Sequence, residues 1–440
     1  MTHSGPLARY FSRLEGRQTW RWRGQVLESV GQIIESAGPL ASVGECCEIH
    51  DQQGETHRAE VIGFRGSHVL SMPLGSAEGI RYGDRVTALG AMPCFEVGPA
   101  LKGRVLNALG EPLDGKRLPA VTRSVALDGP VRQPLERSAI RQPLGTGVRA
   151  LDALLTVGRG QRIGIFGGSG VGKSTLIGMM TRNTAADVTV VGLVGERGRE
   201  VGQFLEESLG DEGRNRSVVI VSTSDQSPLL RMRAALSATA VAESYAAEGA
   251  HVLLVLDSLT RYAMAAREIG LAAGEPPTAK GYTPSVFSRL ARLVERAGQF
   301  PVGSITAFYT VLMEGDDQQD PLVDAVRSLL DGHVVLSRTL AAEGCYPPVA
   351  VLDSVSRLMP AVVTRSHREQ AALVRRMMAV LARSEDLVRI GAYKPGTDED
   401  LDRALAARDT IRSLVMQDAG ERVGFQDSLR ALSELTTAIG

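Results

Sequence analysis

One octapeptide constrains the fold more than any other part of the chain. Gly167-Gly-Ser-Gly-Val-Gly-Lys-Ser174 fits the pattern G-x-x-x-x-G-K-[ST]. It follows the strand-like run Ile163–Phe166 and leads into the helix-like stretch Thr175–Thr181, the context that a phosphate-binding loop requires. Only five of the 440 residues are lysines, so a chance match that includes Lys173 is rare. The motif therefore predicts a nucleotide-binding α/β core.

The residues of this loop have separate chemical uses. Glycines let successive backbone N–H groups point at phosphate oxygens, and the helix that follows adds positive potential at its N-terminus. Lys173 is expected to reach the β- and γ-phosphates of ATP, and Ser174 to give its hydroxyl oxygen to Mg²⁺. The predicted nucleotide-binding residues are Gly167, Gly168, Ser169, Gly170, Val171, Gly172, Lys173, Ser174 and Thr175.

Two further polar groups follow apolar, strand-like runs. The run His251–Asp257 ends in a carboxylate. Because the C-terminal ends of parallel strands face the ligand, Asp257 is expected to hold Mg²⁺ through water. A second run leads into Gly195-Glu-Arg-Gly-Arg-Glu200, where Glu196 is the candidate base for the attacking water and Arg197 could neutralise phosphoryl charge. Judged by spacing alone, a solvated charged loop is the simpler interpretation of this stretch.

The apolar pattern divides the chain into four parts. Short Val-, Ile- and Leu-rich segments broken by Gly, Pro and Asp predict a small β-barrel or sandwich in residues 24–97. Residues 98–360 alternate buried-strand runs with helical stretches, which is typical of a parallel sheet flanked by helices. Residues 361–440 have helical periodicity. In residues 1–23 an apolar stripe predicts a short helix, which either packs on its own domain or docks a partner.

Charge and composition exclude several functions. The chain has 49 basic and 50 acidic residues, which argues against a globally basic nucleic-acid-binding protein. Its apolar runs are shorter than the roughly 18 residues that span a bilayer, and arginines interrupt the N-terminal region where a secretory signal would be apolar. The four cysteines lack C-x-x-C spacing and the seven histidines lack metal-ligand spacing. We expect a cytoplasmic protein with reduced thiols.

Several longer segments resemble known ATPases. Three of them look like rotary, F1/V1-type ATPases: Pro143–Asp152, Gly195–Glu200 and Leu256–Tyr262. Three others are similar to the ATPases of type III protein export: Thr306–Asp317, Leu330–Arg338 and Ile390–Gly396. Val61–Arg65 and Met72–Gly75 favour the flagellar branch over the injectisome branch. The resemblance extends over nearly the whole chain, from about residue 24 to residue 410.

This resemblance implies a fold, an assembly and a set of partners. The fold would be an N-terminal β-barrel, a RecA-like P-loop ATPase core and a C-terminal helical domain. The assembly would be a homohexameric ring with ATP at the subunit interfaces. The implied partners are a stator-like regulatory protein on the N-terminal helix, export-gate and central-stalk proteins, and export substrates with their chaperones. The protein would lie in the cytoplasm at the inner face of the membrane export apparatus, with peripheral membrane association and no nucleic acid.

The resemblance also implies roles for single residues. It matches the catalytic glutamate with Glu196, the Walker B acid with Asp257, the phosphate-side arginines with Arg197 and Arg261, the adenine-stacking tyrosine with Tyr346, and the arginine finger with Arg357. A finger that acts on a neighbour's ATP requires a ring. The Gln-Pro-Phe of rotary β-subunits is replaced by Gln417-Asp418-Ala419, so the sequence leaves the second wall of the adenine pocket open.

The leading hypothesis is an ATP-hydrolysing motor of flagellar protein export. The alternatives are an injectisome ATPase, a catalytic subunit of a rotary synthase, a non-catalytic ring subunit, and an RNA-translocating hexamer of the Rho type. Glu196 argues against the non-catalytic subunit, which carries an amide at that position and has no base there. Near-zero net charge and the lack of an evident aromatic and basic RNA-binding module argue against the Rho type.

Overall fold

The computed structural model describes residues 21–117, 123–313 and 320–439. The predicted docking helix in residues 1–23 therefore lies almost entirely outside the described residues, as do positions 314–317 of the export-type segment, and both stay predictions. The described chain forms two units. The smaller contains residues up to Cys94 with the short pieces 227–229 and 268–275, and the larger contains the rest.

The smaller unit is a closed six-stranded barrel. Its strands are β1 (Arg23–Val30), β2 (Ile33–Ala37), β3 (Cys46–His50), β4 (Thr56–Arg65), β5 (His68–Pro73) and β6 (Arg85–Ala88). They close in the order β1-β2-β5-β4-β3-β6, and every pair is antiparallel. Inward positions such as Val26, Ile34 and Ile49 form its core. Closure leaves no free strand edge, and the prediction of a β-barrel is confirmed.

The larger unit is built on a mainly parallel sheet. Its strands are β7 (Cys94–Val97), β8 (Val105–Asn107), β9 (Arg123–Ala126), β10 (Pro143–Leu144), β11 (Val157–Gly158), β12 (Arg162–Gly167), β13 (Val188–Glu196), β14 (Ser217–Thr223), β15 (His251–Asp257), β16 (Gly298–Gln299), β17 (Ser304–Leu312), β18 (Gly332–Val335) and β19 (Val355–Ser356). The main sheet runs β19-β18-β12-β17-β15-β13-β14-β8, with β16 on β17. From β18 to β8 all neighbours are parallel, so β12, β13 and β15 end at the same edge of the sheet.

Helices cover this sheet and explain its sequence pattern. They are α1 (Arg149–Leu154), α2 (Lys173–Asn183), α3 (Gly198–Gln203), a π-helical turn (Phe204–Leu209), α4 (Gly210–Asn215), α5 (Pro228–Ala247), α6 (Leu259–Ala272), α7 (Pro284–Val294), α8 (Pro321–Leu329), α9 (Arg338–Ala342), α10 (Met359–Val362), α11 (Arg365–Arg389), α12 (Glu399–Val415) and α13 (Phe425–Ile439). Strands β13, β14, β15 and β17 are buried along nearly their whole length, which accounts for their continuous apolar runs.

The C-terminal region is a three-helix layer formed by α11, α12 and α13. Thr364 and Asp398 cap the first two helices by accepting hydrogen bonds from backbone N–H groups of the first turn. Buried side chains of the layer, such as Val374, Leu401 and Leu432, belong to the same apolar cluster as the core of the sheet unit. The predicted fold class is thus confirmed. Within the described ranges, none of the helices has the length and apolarity to cross a membrane.

Candidate active site

The phosphate-binding loop joins β12 to α2 at the C-terminal edge of the sheet. The strand ends at Gly167 and the helix begins at Lys173. Two loop glycines have left-handed backbone conformations, with φ of +77° at Gly170 and +95° at Gly172. A side chain is strained in that region, so these positions favour glycine. The turn aims the open N-terminus of an 11-residue helix into the site.

Lys173 is the buried cation of this site. Only 8% of the residue is exposed, and its Nζ donates a hydrogen bond to the carbonyl oxygen of Gly168 at 2.5 Å. Burial lowers the pKa of the Lys173 ammonium, while the carboxylates of Asp257 and Glu196 act in the opposite direction. The lysine is thus held among opposite charges and is not free to swing into solvent.

Asp257 is held at the end of β15 by the neighbouring strand. Its Oδ1 accepts a hydrogen bond from the hydroxyl of Thr310 on β17 at 2.5 Å, and the residue is only 7% exposed. Burial raises the pKa of Asp257, and the Thr310 bond and the Lys173 charge oppose that rise only in part. A buried carboxylate and the hydroxyl of Ser174 line the same cavity. These hard oxygen donors fit Mg²⁺.

Glu196 lies at the end of β13, one strand beyond β15. Burial, followed by the nearby charge of Asp257, raises the pKa of Glu196 to about 8. A side-chain hydrogen bond to Glu200, in the first turn of α3, adds to that rise. A carboxyl group whose pKa lies near neutrality is suited to accept a proton from water.

Two arginines complete this wall of the cavity. Arg197 begins the turn into α3, and its largely exposed side chain pairs with Glu200 at 3.5 Å. Arg261 lies on α6, and its buried Nε has no hydrogen-bond acceptor among the described residues. The backbone at the end of β13 approaches Arg261 closely, because a Cβ at Gly195 would lie 3.2 Å from the Arg261 Cβ. Arg261 therefore presents an unused donor at the phosphate side.

These side chains converge on one cavity of about 390 Å³, which combines the loop with both strand-end carboxylates and both arginines. Among its lining residues are Ser169, Gly170, Gly172, Lys173, Ser174, Thr175, Glu196, Arg197, Glu200, Asp257 and Arg261. The sequence predicted all of these except Glu200. Glu200 is the last residue of the charged segment Gly195–Glu200, but the sequence pattern alone did not predict that its side chain would bond to Glu196.

A second cavity, of about 450 Å³, adjoins the first at Gly172 and Thr175. Tyr346 and the loop from Met416 to Glu421 both line it. Tyr346 is 47% exposed, so its ring is accessible. Gln417-Asp418-Ala419, whose role the sequence left open, thus lines the same cavity as Tyr346.

Two other arginines, Arg357 and Arg338, are not among the lining residues of either cavity. Arg357 is exposed after β19, where its backbone N–H donates to the carbonyl of Asp331, and it lines neither cavity. Arg338 starts α9 and packs on the phosphate-binding loop: a Cβ at Gly168 would lie 2.3 Å from its Nη2. Arg338 also contributes to the lowered pKa of Lys173. The sequence showed Arg338 only as the last residue of an export-type segment.

Comparisons with known proteins show the family of the chain. Three family models match the chain: the ATP synthase alpha/beta family β-barrel domain over residues 26–90, the nucleotide-binding domain of the same family over 147–356, and the T3SS EscN ATPase C-terminal domain over 363–434. The flagellum-specific ATP synthase of Treponema pallidum is 52% identical over 432 residues, covering 98% of this chain and 96% of that protein. The type 3 secretion system ATPase of Xanthomonas euvesicatoria is 47% identical, covering 94% of each chain.

A solved structure is similar over almost the same length. The assembled ATPase EscN of enteropathogenic E. coli, in complex with its central stalk EscO, superposes with a TM-score of 0.87 at 41% identity, covering 94% of this chain and all of that one. The chain therefore belongs to the family of flagellum-specific and type III secretion ATPases within the ATP synthase alpha/beta fold. The prediction of an ATPase of protein export is confirmed at the level of this family.

Proposed function

We propose that this chain is the ATP-hydrolysing motor of flagellar type III protein export, working as a homohexameric ring. The observation that carries the proposal is the convergence of Lys173, Asp257 and Glu196, from three separate sheet–helix connections, on one cavity. The flagellar branch is supported by the 52% identity to a flagellum-specific relative, against 47% to a secretion-system relative. The injectisome ATPase is the second candidate.

Each side chain has a defined part in hydrolysis. Lys173 and the backbone N–H groups of the loop hold the β- and γ-phosphates. Ser174 and Asp257 would hold Mg²⁺, which when bound neutralises phosphate charge. Glu196 orients a water molecule and accepts its proton as the water oxygen bonds to the γ-phosphorus and the bond to the ADP oxygen breaks. Arg197 and Arg261 offset the negative charge that develops on the phosphoryl oxygens.

The position of Arg357 supports the ring. This residue is exposed and lines neither cavity of its own protomer, so in the proposed role of an arginine finger it would act on the ATP of a neighbouring subunit. An arginine supplied in trans is a known device for stabilising phosphoryl-transfer charge. In this proposal each site is completed by the next protomer.

The remaining partners follow from the family. A relative was solved with its central stalk, which supports a stalk protein for this ring. We assign the N-terminal segment to a stator-like regulatory protein, and the ring as a whole to the export gate and to export substrates with their chaperones. This places the protein in the cytoplasm at the inner face of the membrane, with peripheral membrane association. The near-balanced charge argues against nucleic acid as the cargo.

The test is ATP hydrolysis measured over a range of protein concentrations that spans dissociated and assembled protein. Specific activity should rise with assembly, and Arg357→Ala should lower the assembled rate by about 10³-fold, the size of effect that arginine fingers have. Arg365→Ala is the matched control, because Arg365 is exposed on α11 and pairs only within its own helix. A wild-type rate per protomer that does not change with concentration, or an Arg357→Ala rate that rises with assembly as much as the wild-type rate, would exclude the trans arrangement.

A further inference from the structure

The second wall of the Tyr346 cavity is the connection between α12 and α13. This loop, residues 416–421, is called the base-pocket loop below. It belongs to the C-terminal helical layer, yet its backbone is bonded to the ATPase core. The N–H of Gln417 donates to the carbonyl of Tyr346 at 2.8 Å, and the carbonyl of Ala419 accepts from Arg182, at the end of α2, at 2.6 Å. The loop is thus tied to both the tyrosine wall and the phosphate-loop helix.

The side chain of Arg149, the first residue of α1, also bonds to this loop. Its Nε donates to the carbonyl of Leu414 at 3.1 Å and its Nη2 to the carbonyl of Met416 at 2.6 Å. The guanidinium also forms a fork with the carboxylate of Glu421, with Nη1 2.6 Å from Oε1. A planar guanidinium can satisfy several acceptors at once in this way, and a lysine cannot. The side chain of Arg149 is only 17% exposed.

Gln417 is the buried centre of these contacts. Only 4% of the residue is exposed. Its Oε1 accepts from the backbone N–H of Arg149 at 2.8 Å, and its Nε2 donates to the carbonyls of Gly147 at 2.9 Å and Glu421 at 3.1 Å. Both amide hydrogens and the oxygen are therefore used inside the protein. A glutamine can read a base edge with these same atoms, but here none of its donors is left for a ligand.

We propose that Arg149 and Gln417 are positioning residues for the base of the nucleotide: they fix the base-pocket loop beside Tyr346, in the lining of the same cavity, without contacting the base edge. This rests on the proposed nucleotide site. Because the phosphate cavity is formed by other residues, loosening the base-pocket loop weakens binding of the base and leaves phosphate binding intact. The base is then held by stacking and packing, so purines with different edges are affected alike.

The experiment compares three ligands on the full-length protein with Mg²⁺. KM is measured for ATP and for GTP, and tripolyphosphate, which has no base, is measured as an inhibitor of ATP hydrolysis. Gln417→Ala should raise KM about tenfold for both nucleotides, the effect of losing one well-made buried hydrogen bond or slightly more. Its kcat and the inhibition constant of tripolyphosphate should stay within about twofold of wild type, since the residues of the phosphate cavity are unchanged.

Two more variants make the result interpretable. Arg149→Ala removes the guanidinium that bonds the base-pocket loop, so it tests the same positioning role. It replaces Gln417→Ala if that variant does not fold. Gln370→Ala is the matched control: Gln370 bonds Ser433 between α11 and α13, away from both cavities, so it loosens the helical layer without touching the loop. This control should leave all three ligands unaffected.

Each other outcome overturns the proposal in a recognisable way. A loss confined to ATP would make Gln417 a reader of the adenine edge, and an equal loss for tripolyphosphate would mean general damage to the site. Unchanged KM in both Gln417→Ala and Arg149→Ala would show that the loop does not position the base. If Lys173→Ala binds tripolyphosphate as tightly as the wild type in a calorimetric titration, the phosphate cavity itself is misassigned, and the proposed function fails separately.

Discussion

Replacing Glu196 with glutamine separates nucleotide binding from hydrolysis. The amide has nearly the same shape and can donate to the carboxylate of Glu200, where the wild type places two carboxyl groups side by side. It cannot take a proton from water. Because the pKa of Glu196 is raised to about 8, the neutral amide also matches the protonated form that the folded protein favours at pH 7. We expect ATP to bind at least as tightly, and hydrolysis to stop.

Two magnitudes follow from the structure. Loss of a general base lowers kcat by about 10²–10⁴-fold. The second concerns folding: burial and the Asp257 charge raise the pKa of Glu196 from 4.5 to about 8. An acid with a raised pKa in the folded state loses stability as pH rises from its unfolded pKa toward the folded one. At pH 7 this costs the folded protein about 3 kcal/mol, and the neutral amide of Glu196→Gln removes that cost.

Three measurements check these expectations: phosphate release, calorimetric titration with ATP, and thermal unfolding between pH 4 and 8. Glu196→Gln should be the more heat-stable protein near pH 7, and this advantage should vanish toward pH 4, where the wild-type carboxyl is protonated in both states. Glu200→Gln is the matched control, since it makes the same carboxyl-to-amide change in the same cavity, and it should cost less than about tenfold in kcat. Equal losses for the two variants would show that the loss of a carboxyl group from the cavity, and not proton transfer to Glu196, explains the effect.

Two further predictions concern other charged groups. Lys173→Ala should abolish binding of both ATP and tripolyphosphate in a calorimetric titration, because it removes the buried ammonium of the loop; measurable tripolyphosphate binding would contradict its role. Asp114→Asn should destabilise the protein at pH 7 by about 2–3 kcal/mol, because Asp114 accepts two hydrogen bonds from the buried guanidinium of Arg104, at 2.7 and 2.8 Å. The Arg104 guanidinium holds the pKa of Asp114 below its usual range. The ion pair therefore stabilises the folded protein fully above about pH 4, and this stabilisation is lost as pH falls. The gap between variant and wild type in thermal unfolding should therefore narrow toward pH 2, and a constant gap would refute the ion pair as its source.

The sequence predicted those parts of the structure that are encoded by residues adjacent in the chain. The phosphate-binding loop, the strand that ends in Asp257 and the barrel could all be recognised, because turn glycines, apolar runs and strand-end carboxylates are contiguous in the chain. Resemblance to export ATPases then singled out Tyr346 and Arg357, for which spacing gave no signal. The structure adds that Tyr346 faces a cavity while Arg357 does not.

What the sequence could not show depends on contacts between distant segments. Gln417 looked like the remnant of a replaced motif, but its partners Gly147 and Arg149 lie about 270 positions away in the chain. Arg338 approaches Gly168 only because β18 and β12 are neighbours in the sheet. The resemblance seen in the sequence ended near residue 410, before the third C-terminal helix, α13, and the packing of this amphipathic helix against α1 becomes evident only in the folded chain.

The division of the site into two cavities bears on how a motor of this kind would release its products. In the proposed mechanism ADP keeps the base and the β-phosphate, so Tyr346, the base-pocket loop and Lys173 would govern its departure. The γ-phosphate would leave from the cavity lined by Glu196 and Arg261, which the base-pocket loop does not line. Since that loop belongs to the C-terminal helices, a force applied to those helices would act first on the base. Such a force would speed release of ADP while leaving the bond-breaking step unchanged, which is where a stalk or a cargo protein could set the rate of the cycle.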